Sequence, residues 1–265
     1  MEFIDMHSHI YPDDIAYKAA KSVQSFYGGL GGEGDMDGTA GMLLRRGKEA
    51  GISRFLILPV AIRPDRAQGI NDYIVGQVKA HPEFVGFGTV HARMEGLLEE
   101  TERIISLGLR GIKMHPDSQR FAIDDPALLP MYELARDKGL PVMLHMGDLR
   151  YNFSQPILLK RVLEQVPGLK AIATHFGGYS VYEEAFQTLR NMDCVFDTSS
   201  SLMLLEPGAA ERYINGYGAE RMAFGTDYPM WDPMEERKRF DALKLTDDQK
   251  EQIANKTAKR VLGLG

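Results

Sequence analysis

Cysteine is almost absent from this sequence. Cys194 is the single cysteine among 265 residues, so the chain cannot form an internal disulfide. Such sparing use of cysteine is typical of proteins in a reducing compartment, and it predicts a cytoplasmic location. No basic segment followed by an apolar one opens the chain, so we expect no signal peptide.

Long apolar runs and basic clusters are missing as well. The longest apolar run extends from Phe55 to Ile62, which is far too short for a helix that spans a bilayer. The net charge is −6, and the longest basic cluster is Arg237-Lys238-Arg239. We therefore expect neither a nucleic acid nor a membrane as partner. A small-molecule substrate is expected instead, and assembly into a homo-oligomer stays open.

The remaining composition is that of an ordinary globular protein. Hydrophobic residues make up 44% of the chain and charged residues 26%, which is enough for a substantial core. A chain of this length fits one α/β barrel or two small domains. Because no Pro/Ser-rich linker or charge block divides it, we predict one domain over residues 1–265.

Strand and helix patterns alternate along the chain. Eight apolar runs with helical patterns between them predict strands at 3–9, 55–60, 84–90, 111–115, 141–145, 169–175, 194–197 and 222–227. Runs that are continuous rather than alternating indicate strands buried on both faces, as in parallel sheets. Eight such units predict an α/β fold of the (β/α)₈ TIM-barrel type, with an open doubly wound sheet as the alternative.

One segment does not follow this alternation. Residues 11–38 are rich in glycine but lack a phosphate-binding motif, so we predict a mobile loop over the site. Further along, the pattern predicts a helix over 207–214 with proline in its first turn. The last helix is predicted to open with Thr246 and Gln249 in capping-box spacing.

The histidines gather where the predicted strands end. His7 and His9 alternate with Ser8 and therefore point to the same face of a strand. Six of the seven histidines end or follow a strand, namely 7, 9, 91, 115, 145 and 175. Asp227 ends the eighth strand. The carboxyl ends of barrel strands meet at one face, and imidazoles with a carboxylate suit Zn²⁺ or a similar first-row metal.

Four motifs at these strand ends carry a family resemblance. They are Asp5-Met6-His7-Ser8-His9, Leu144-His145-Met146-Gly147, Thr174-His175-Phe176-Gly177-Gly178 and Gly225-Thr226-Asp227-Tyr228-Pro229. With them the chain resembles the amidohydrolase superfamily of metal-dependent barrel enzymes. The likeness is greatest to the branch of amidohydrolase-related proteins and aminocarboxymuconate-semialdehyde-type decarboxylases.

The resemblance implies the roles of the site residues. It implies metal ligation by His7, His9, His145 and Asp227. His175 would either bind a second metal or position the attacking water. Asp227 would carry the proton, because a bound cation lowers the pKa of water to ~7 and a nearby carboxylate can accept its proton. Zn²⁺ is expected, with Mn²⁺ as the alternative, and one ion is favoured over two.

Lys113 is predicted on the fourth strand, where some superfamily members carry a carboxylated lysine that bridges two metals. We expect the unmodified lysine, and carboxylation with a second ion stays the alternative.

Substrate contacts are expected from the rim of the barrel. Arginine binds carboxylates with two hydrogen bonds, and Arg63 and Arg150 are therefore candidates. Arg150 has Asp148 as an alternative partner. His115, Tyr179 and Trp231 are further candidates, with a solvated strand end or ordinary packing as the alternatives for His115 and Trp231.

Two chemistries follow from this set of residues. The first expectation is a metal-dependent hydrolase acting on an amide, ester or lactone of a small carboxylated compound. The alternative is a metal-dependent non-oxidative decarboxylase of a cyclic or unsaturated acid. A barrel that binds metal without turnover is the third and least favoured interpretation.

Overall fold

The computed structural model describes residues 1–264, apart from the side chain of Glu33. The predicted domain of residues 1–265 ends at Gly265, which lies outside the described residues. The chain forms two compact units, the first comprising Met1–Ile57 with Thr198–Gly265 and the second Leu58–Asp197.

Short strands and longer helices alternate through the described chain. The strands are β1 Phe3–Ser8, β2 Ile52–Ile57, β3 Phe84–Gly86, β4 Gly88–Thr89, β5 Ile112–Met114, β6 Val142–Leu144, β7 Ala171–Ala173, β8 Cys194–Asp197 and β9 Met222–Ala223. The helices are α1 Ala16–Phe26, α2 Ala40–Glu49, α3 Ala67–Ala80, α4 Leu97–Ser106, α5 Pro116–Gln119, α6 Leu129–Asp137, α7 Pro156–Gln165, α8 Tyr182–Leu189, α9 Ala209–Tyr217, α10 Pro233–Asp241, α11 Asp247–Glu251 and α12 Thr257–Leu262.

In the first unit, β1 has a parallel neighbour on each edge. It pairs with β2, with Asp5 opposite Phe55, and all six of its residues are buried. Along its other edge runs the segment that follows β9, where Asp227 N donates to His7 O at 2.7 Å. An isolated parallel bridge joins Ser8 to Tyr228. This pairing places the end of the first strand beside the end of the last.

The second unit holds a run of parallel strands in sequence order, from β4 through β8. The register sets Met114 opposite Leu144, and Leu144 opposite Ala173. The residues that follow these positions in the chain, among them His115 and His145, therefore emerge at one edge of the sheet.

Helix ends use the signals that the sequence offers. Thr246 and Gln249 form the predicted capping box at the start of α11. Proline occupies the first turn of α7 and α10, where its missing N–H removes no helical hydrogen bond. The α9 helix begins at Ala209 rather than at Pro207, because Gly208 has a φ of 83° and cannot continue a right-handed helix.

The glycine-rich segment differs from its prediction. It contains α1, so it is not one long loop. Its glycines dock on the residues after the last strand: Gly32 N donates to Met230 O at 2.8 Å. A Cβ at Gly31, where φ is 83°, would lie 2.9 Å from Met230 O. The glycines therefore permit close packing of two backbones.

Several strand predictions are also corrected, and the second strand lies at Ile52–Ile57 rather than at 55–60. The predicted strand over 84–90 is divided into β3 and β4 by Phe87. The predicted strand over 222–227 is regular only in β9, although its backbone continues to bond β1. Among residues 1–264, no helix is both long enough and apolar enough to cross a membrane.

Candidate functional site

Three side-chain atoms converge at the end of β1. His7 Nε2 and His9 Nε2 are 3.2 Å apart. Each of them lies 3.4 Å from Oδ1 of Asp227. His7 is buried, and His9 and Asp227 are only slightly exposed, so bulk water competes little for these atoms.

This spacing matches the donor atoms of a metal centre. Tetrahedral Zn²⁺ binds nitrogen and oxygen at about 2.0–2.1 Å, which puts neighbouring donor atoms about 3.3–3.4 Å from one another. The triangle of His7, His9 and Asp227 has these dimensions already. Two imidazoles and a carboxylate oxygen also suit a first-row divalent cation chemically.

A buried carboxylate supports this triangle from below. Asp5 accepts hydrogen bonds from the backbone N–H groups of His7 and Thr226 at 2.9 and 3.0 Å. The hydroxyls of Ser8 and Thr226 donate to its other oxygen, both at 2.6 Å. Burial nevertheless raises the pKa of Asp5 to about 6, although these hydrogen bonds oppose the rise.

Hydroxyl groups after β8 complete the surroundings of the triangle. Ser199 Oγ lies 2.9 Å from Nδ1 of His7. The hydroxyl of Ser200 donates a short hydrogen bond to Oδ2 of Asp227. Trp231 Nε1 in turn donates to Ser200 Oγ at 2.7 Å. Trp231 thus makes a specific polar contact in addition to its packing.

In the second unit a group of histidines stands at the ends of β5, β6 and β7. His175 Nε2 and His145 Nδ1 are 3.0 Å apart. The rings of His115 and His145 stack with centroids 3.8 Å apart and planes within 9°. The ring of Tyr179 lies 6.2 Å from that of His145 and 6.0 Å from that of His175.

The backbone at His175 is held in an unusual conformation. His175 and Phe176 have φ values of 58° and 53°, in the left-handed region that side chains disfavour. The N–H of His175 donates to Oδ1 of Asp197 at 2.8 Å, which anchors this turn. Strain of this kind persists where the surrounding structure fixes it, often at functional sites.

Asp117 belongs to the same group of residues, although the sequence did not single it out. It is buried, Ser154 donates to its Oδ2 at 2.5 Å, and His145 Nε2 lies 3.7 Å from that oxygen. Its Oδ1 has no partner in hydrogen-bond geometry within the described chain, although the amide of Phe153 stabilises its charge. Burial raises the pKa of Asp117 to about 6, and the charge of Asp148 adds to this.

Donor atoms of His115, Asp117 and His145 lie within 4.8 Å of one another, so this group could also hold a metal ion. The stacked rings argue against it. Imidazole binds a metal in the plane of its ring, and two parallel rings point their lone pairs alongside each other. We therefore regard Asp117 as a partner of His145.

The other predicted site residues have varied surroundings. Lys113 is buried on β5, with 1% of its surface exposed. Arg150 forms a two-pronged pair with Asp148, with Nε–Oδ1 at 2.9 Å and Nη2–Oδ2 at 2.6 Å, which is the alternative expected for it. Arg63 is exposed and pairs with Asp65 at 2.8 Å.

His91 keeps a local role. Its Nδ1 accepts a hydrogen bond from Arg93 N at 3.1 Å, and burial lowers its pKa, which favours the neutral ring.

Some functional candidates were missed for identifiable reasons. Ser199 and Ser200 come two and three residues after the predicted seventh strand, so the rule that strand ends carry the site would have included them. Asp117 lies two residues after His115 and was accessible to the same rule. Which way their hydroxyl or carboxylate points depends on backbone angles that no sequence pattern reveals.

Comparison with known proteins establishes the family. The amidohydrolase family model matches residues 4–264, and this chain belongs to that family. An uncharacterised TIM-barrel protein from Bordetella bronchiseptica superimposes with a TM-score of 0.82 at 22% identity, over 100% of this chain and 99% of that one. The predicted TIM-barrel fold is therefore confirmed, and the chain is an enzyme of the amidohydrolase superfamily.

Two further relatives have named activities. A 2-amino-3-carboxymuconate-6-semialdehyde decarboxylase from Dictyostelium discoideum is 24% identical over 242 residues, which covers 76% of this chain and 67% of the relative. A dihydroxybenzoic acid decarboxylase from Polaromonas, solved with manganese and the inhibitor 2-nitroresorcinol, matches with a TM-score of 0.76 at 17% identity. That match covers 99% of this chain and 97% of the other.

These findings correct the main functional prediction. Hydrolysis of an amide, ester or lactone is contradicted, because the two relatives just described are decarboxylases. The error has a chemical reason. The same imidazoles and carboxylate can hold a metal that activates water or one that binds a substrate carboxylate, and the motifs do not distinguish the two.

Proposed function

We propose that this enzyme is a metal-dependent, non-oxidative decarboxylase of a cyclic or unsaturated carboxylic acid. The observation that carries the proposal is the convergence of His7 Nε2, His9 Nε2 and Asp227 Oδ1 within 3.2–3.4 Å of one another. The decarboxylase activities of its named relatives give the reaction type.

The proposed metal ligands are His7, His9, Asp227 and His145. The donor set suits one ion of Zn²⁺ or Mn²⁺, and manganese is the ion in the Polaromonas relative. When bound, the cation would supply positive charge to the carboxylate and a neighbouring oxygen of the substrate. A second ion would require carboxylated Lys113 and ligation by His175, and we propose the single-ion form.

The residues of the chain must then deliver one proton to the substrate. In decarboxylation the bond between the ring or chain carbon and the carboxylate breaks, and its electron pair stays on that carbon. Carbon dioxide leaves, and the carbon takes up a proton. His175 and Asp227 are the proposed proton carriers, because both are ionisable and stand at strand ends of the barrel.

Substrate binding is proposed for five rim residues, namely Arg63, Arg150, His115, Tyr179 and Trp231. Tyr179 has the firmest support, because its ring lies near those of His145 and His175. Arg150 is partly neutralised by Asp148, so it would act on a substrate carboxylate together with that partner. We further propose that residues 1–265 act as one catalytic domain in the cytoplasm.

Carbon dioxide release tests the proposal directly. The Mn²⁺-loaded and Zn²⁺-loaded enzymes are incubated with dihydroxybenzoic acids and with 2-amino-3-carboxymuconate 6-semialdehyde. We expect carbon dioxide and the decarboxylated product in equal amounts. In D₂O the product should carry one deuterium at the ring or chain carbon that bore the carboxylate.

Two controls sharpen this experiment. Enzyme stripped by a chelator should release no carbon dioxide until metal is restored. Binding of 2-nitroresorcinol, which contains no carboxylate to lose, should also require metal. Binding of this compound that is equally tight with and without metal would contradict the proposal, as would products that retain the carboxylate.

A further inference from the structure

The hydroxyl of Ser200 lies between the indole of Trp231 and the carboxylate of Asp227. Trp231 Nε1 is 2.7 Å from Ser200 Oγ, and Ser200 Oγ in turn contacts Oδ2 of Asp227. The described chain offers this hydroxyl no other hydrogen-bond partner. Ser200 and Trp231 are both buried, with 3% and 8% of their surfaces exposed, so water does not substitute readily for either contact.

The direction of these hydrogen bonds follows from the chemistry of the groups. An indole N–H is a donor only, so Ser200 Oγ accepts from Trp231. The single hydrogen of the hydroxyl must then go to Asp227, whose ionised carboxylate is an acceptor only. Trp231 thereby fixes Ser200 as a donor to Oδ2.

This arrangement assigns separate tasks to the two oxygens of Asp227. Oδ2 is occupied by Ser200, and Oδ1 lies 3.4 Å from both His7 Nε2 and His9 Nε2. A carboxylate held in this way presents one oxygen to a cation. Without Ser200 it could turn and offer both oxygens.

The backbone on both sides of the contact is in a disfavoured region. Ser200 has a φ of 49° and Asp227 a φ of 60°, both left-handed. A left-handed backbone is unfavourable for serine, and strained conformations of this kind persist where the surrounding structure fixes them. The conformation is what aims the hydroxyl at the carboxylate.

We propose that Ser200 and Trp231 are positioning residues that make Asp227 a one-oxygen metal ligand. The inference rests on the proposed function in one respect, namely that Asp227 binds the metal. It adds a role for two residues that do not themselves contact the ion.

A double-mutant cycle on metal affinity tests the proposal. The dissociation constant for Mn²⁺ is measured for the wild type, Ser200→Ala, Trp231→Phe and the double variant. Ser200→Ala should weaken Mn²⁺ binding by about 10–100-fold, as loss of a residue that orients a metal ligand usually does. Trp231→Phe keeps an aromatic ring at this position and removes one neutral hydrogen bond, so it should weaken binding by about 2–10-fold.

The decisive result is the coupling between the two changes. Because Trp231 acts only through the hydroxyl of Ser200, the double variant should bind Mn²⁺ no more weakly than Ser200→Ala alone. Additive effects would show that Trp231 is packing only, and would overturn the proposal. Ser53→Ala, in which the lost hydroxyl donates to Phe3 O at the start of β1, is the matched control and should bind as the wild type does.

A spectroscopic readout separates positioning from general damage. The visible absorption of bound Co²⁺ weakens as its coordination number rises, so Ser200→Ala should lose intensity and Ser53→Ala should not. If Ser200→Ala folds poorly, Ser200→Gly takes its place, because glycine removes the hydroxyl and also relieves the backbone strain. This variant should show the same weakened Mn²⁺ binding and the same loss of Co²⁺ absorption. If the wild type binds Mn²⁺ and the variants bind it equally well, the positioning role of Ser200 and Trp231 is overturned and the proposed metal centre stands. A wild type that retains no Mn²⁺ overturns both the metal centre and the positioning role.

Discussion

The hydroxyl of Thr226 donates to Oδ2 of Asp5 at 2.6 Å, joining two residues that are 221 positions apart in the chain. The amide of Thr226 also donates to Oδ1 of the same carboxylate at 3.0 Å. Asp5 precedes His7 by two residues, and Thr226 precedes Asp227 by one. This contact therefore fixes the register that brings a histidine of the first strand beside the carboxylate of the last.

Asp5→Asn should change the pH dependence of stability. Burial raises the pKa of Asp5 to about 6 in the folded protein, above its unfolded value of about 3.9. The folded state therefore binds this proton more tightly than the unfolded state does. The resulting contribution to the free energy of unfolding is fully present well below pH 4 and is lost as the pH rises through 6. Relative to the variant, the free energy of unfolding of the wild type should fall by about 2 kcal/mol between pH 4 and pH 7.

Urea unfolding at several pH values, with a chelator present so that metal binding does not contribute, measures this difference. Asparagine can keep the two bonds from backbone amides, and the hydroxyls of Ser8 and Thr226 can turn to accept from its NH₂ group. The variant should therefore fold. A difference between the two proteins that does not vary with pH would show that Asp5 keeps its ordinary acidity.

Replacement of His7 and His9 together by alanine should remove the metal. The double variant loses two of the three converging donor atoms, so we expect its metal content to fall from about one equivalent to near zero. The fold should persist, because the strand cores lie below the site. Elemental analysis and circular dichroism on the same samples check both parts, with His81→Ala, a histidine at the end of α3, as the control.

The fold was accessible from the sequence because its main signal is repeated. Each buried parallel strand is a continuous apolar run, and each is followed by a helical pattern. An error in one strand–helix unit therefore does not alter the predicted fold. The glycine-rich segment shows the limit of this reasoning. Its α1 helix buries Ala16, Ala20 and Gln24, and local composition carries no sign of the tertiary packing that stabilises it.

The site was predictable where backbone periodicity alone decides direction. His7 and His9 had to share a face, and parallel strands had to bring their ends together. The role of Ser200 was not predictable, since it depends on a left-handed backbone that local sequence does not demand. The choice between hydrolysis and decarboxylation was inaccessible for another reason: it depends on which oxygen atoms enter the site, and both reactions use the same ligands.

Lys113→Met should leave metal stoichiometry unchanged. The lysine is buried on β5, and methionine fills a similar volume without a charge. If Lys113 is unmodified, wild type and variant should each bind about one ion, and reconstitution should not depend on bicarbonate. Two ions in the wild type, one in the variant and a requirement for bicarbonate would instead establish a carboxylated lysine between metals ~3.5–4 Å apart.

Asp117→Asn should weaken metal binding through His145. A carboxylate beside a metal-binding imidazole fixes the tautomer and orientation of the ring, and its loss usually reduces metal affinity or activity by about 10–100-fold. Asp117 Oδ2 is 3.7 Å from His145 Nε2 and accepts from Ser154, so the amide preserves shape but not charge. Mn²⁺ titration of this variant is compared with Asp124→Asn, which alters a carboxylate paired to Arg161. Equal affinities would assign Asp117 a purely structural role.

Asp227→Asn should separate metal binding from turnover. Asparagine tolerates the φ of 60° at this position, so the backbone should not change. Its carbonyl oxygen can still face the metal, but its NH₂ group then points at Ser200, which already accepts a hydrogen bond from Trp231. The amide cannot accept and return a proton as a carboxylate does. We therefore expect a folded variant that keeps much of its metal and loses ~10²–10⁴-fold in kcat.

Turnover and metal content are measured on the same sample, because a loss of activity that merely follows loss of metal says nothing about proton transfer by Asp227. Near-normal turnover by the metal-loaded variant would leave Asp227 as a ligand only and make His175 the proton carrier, which His175→Asn would then test.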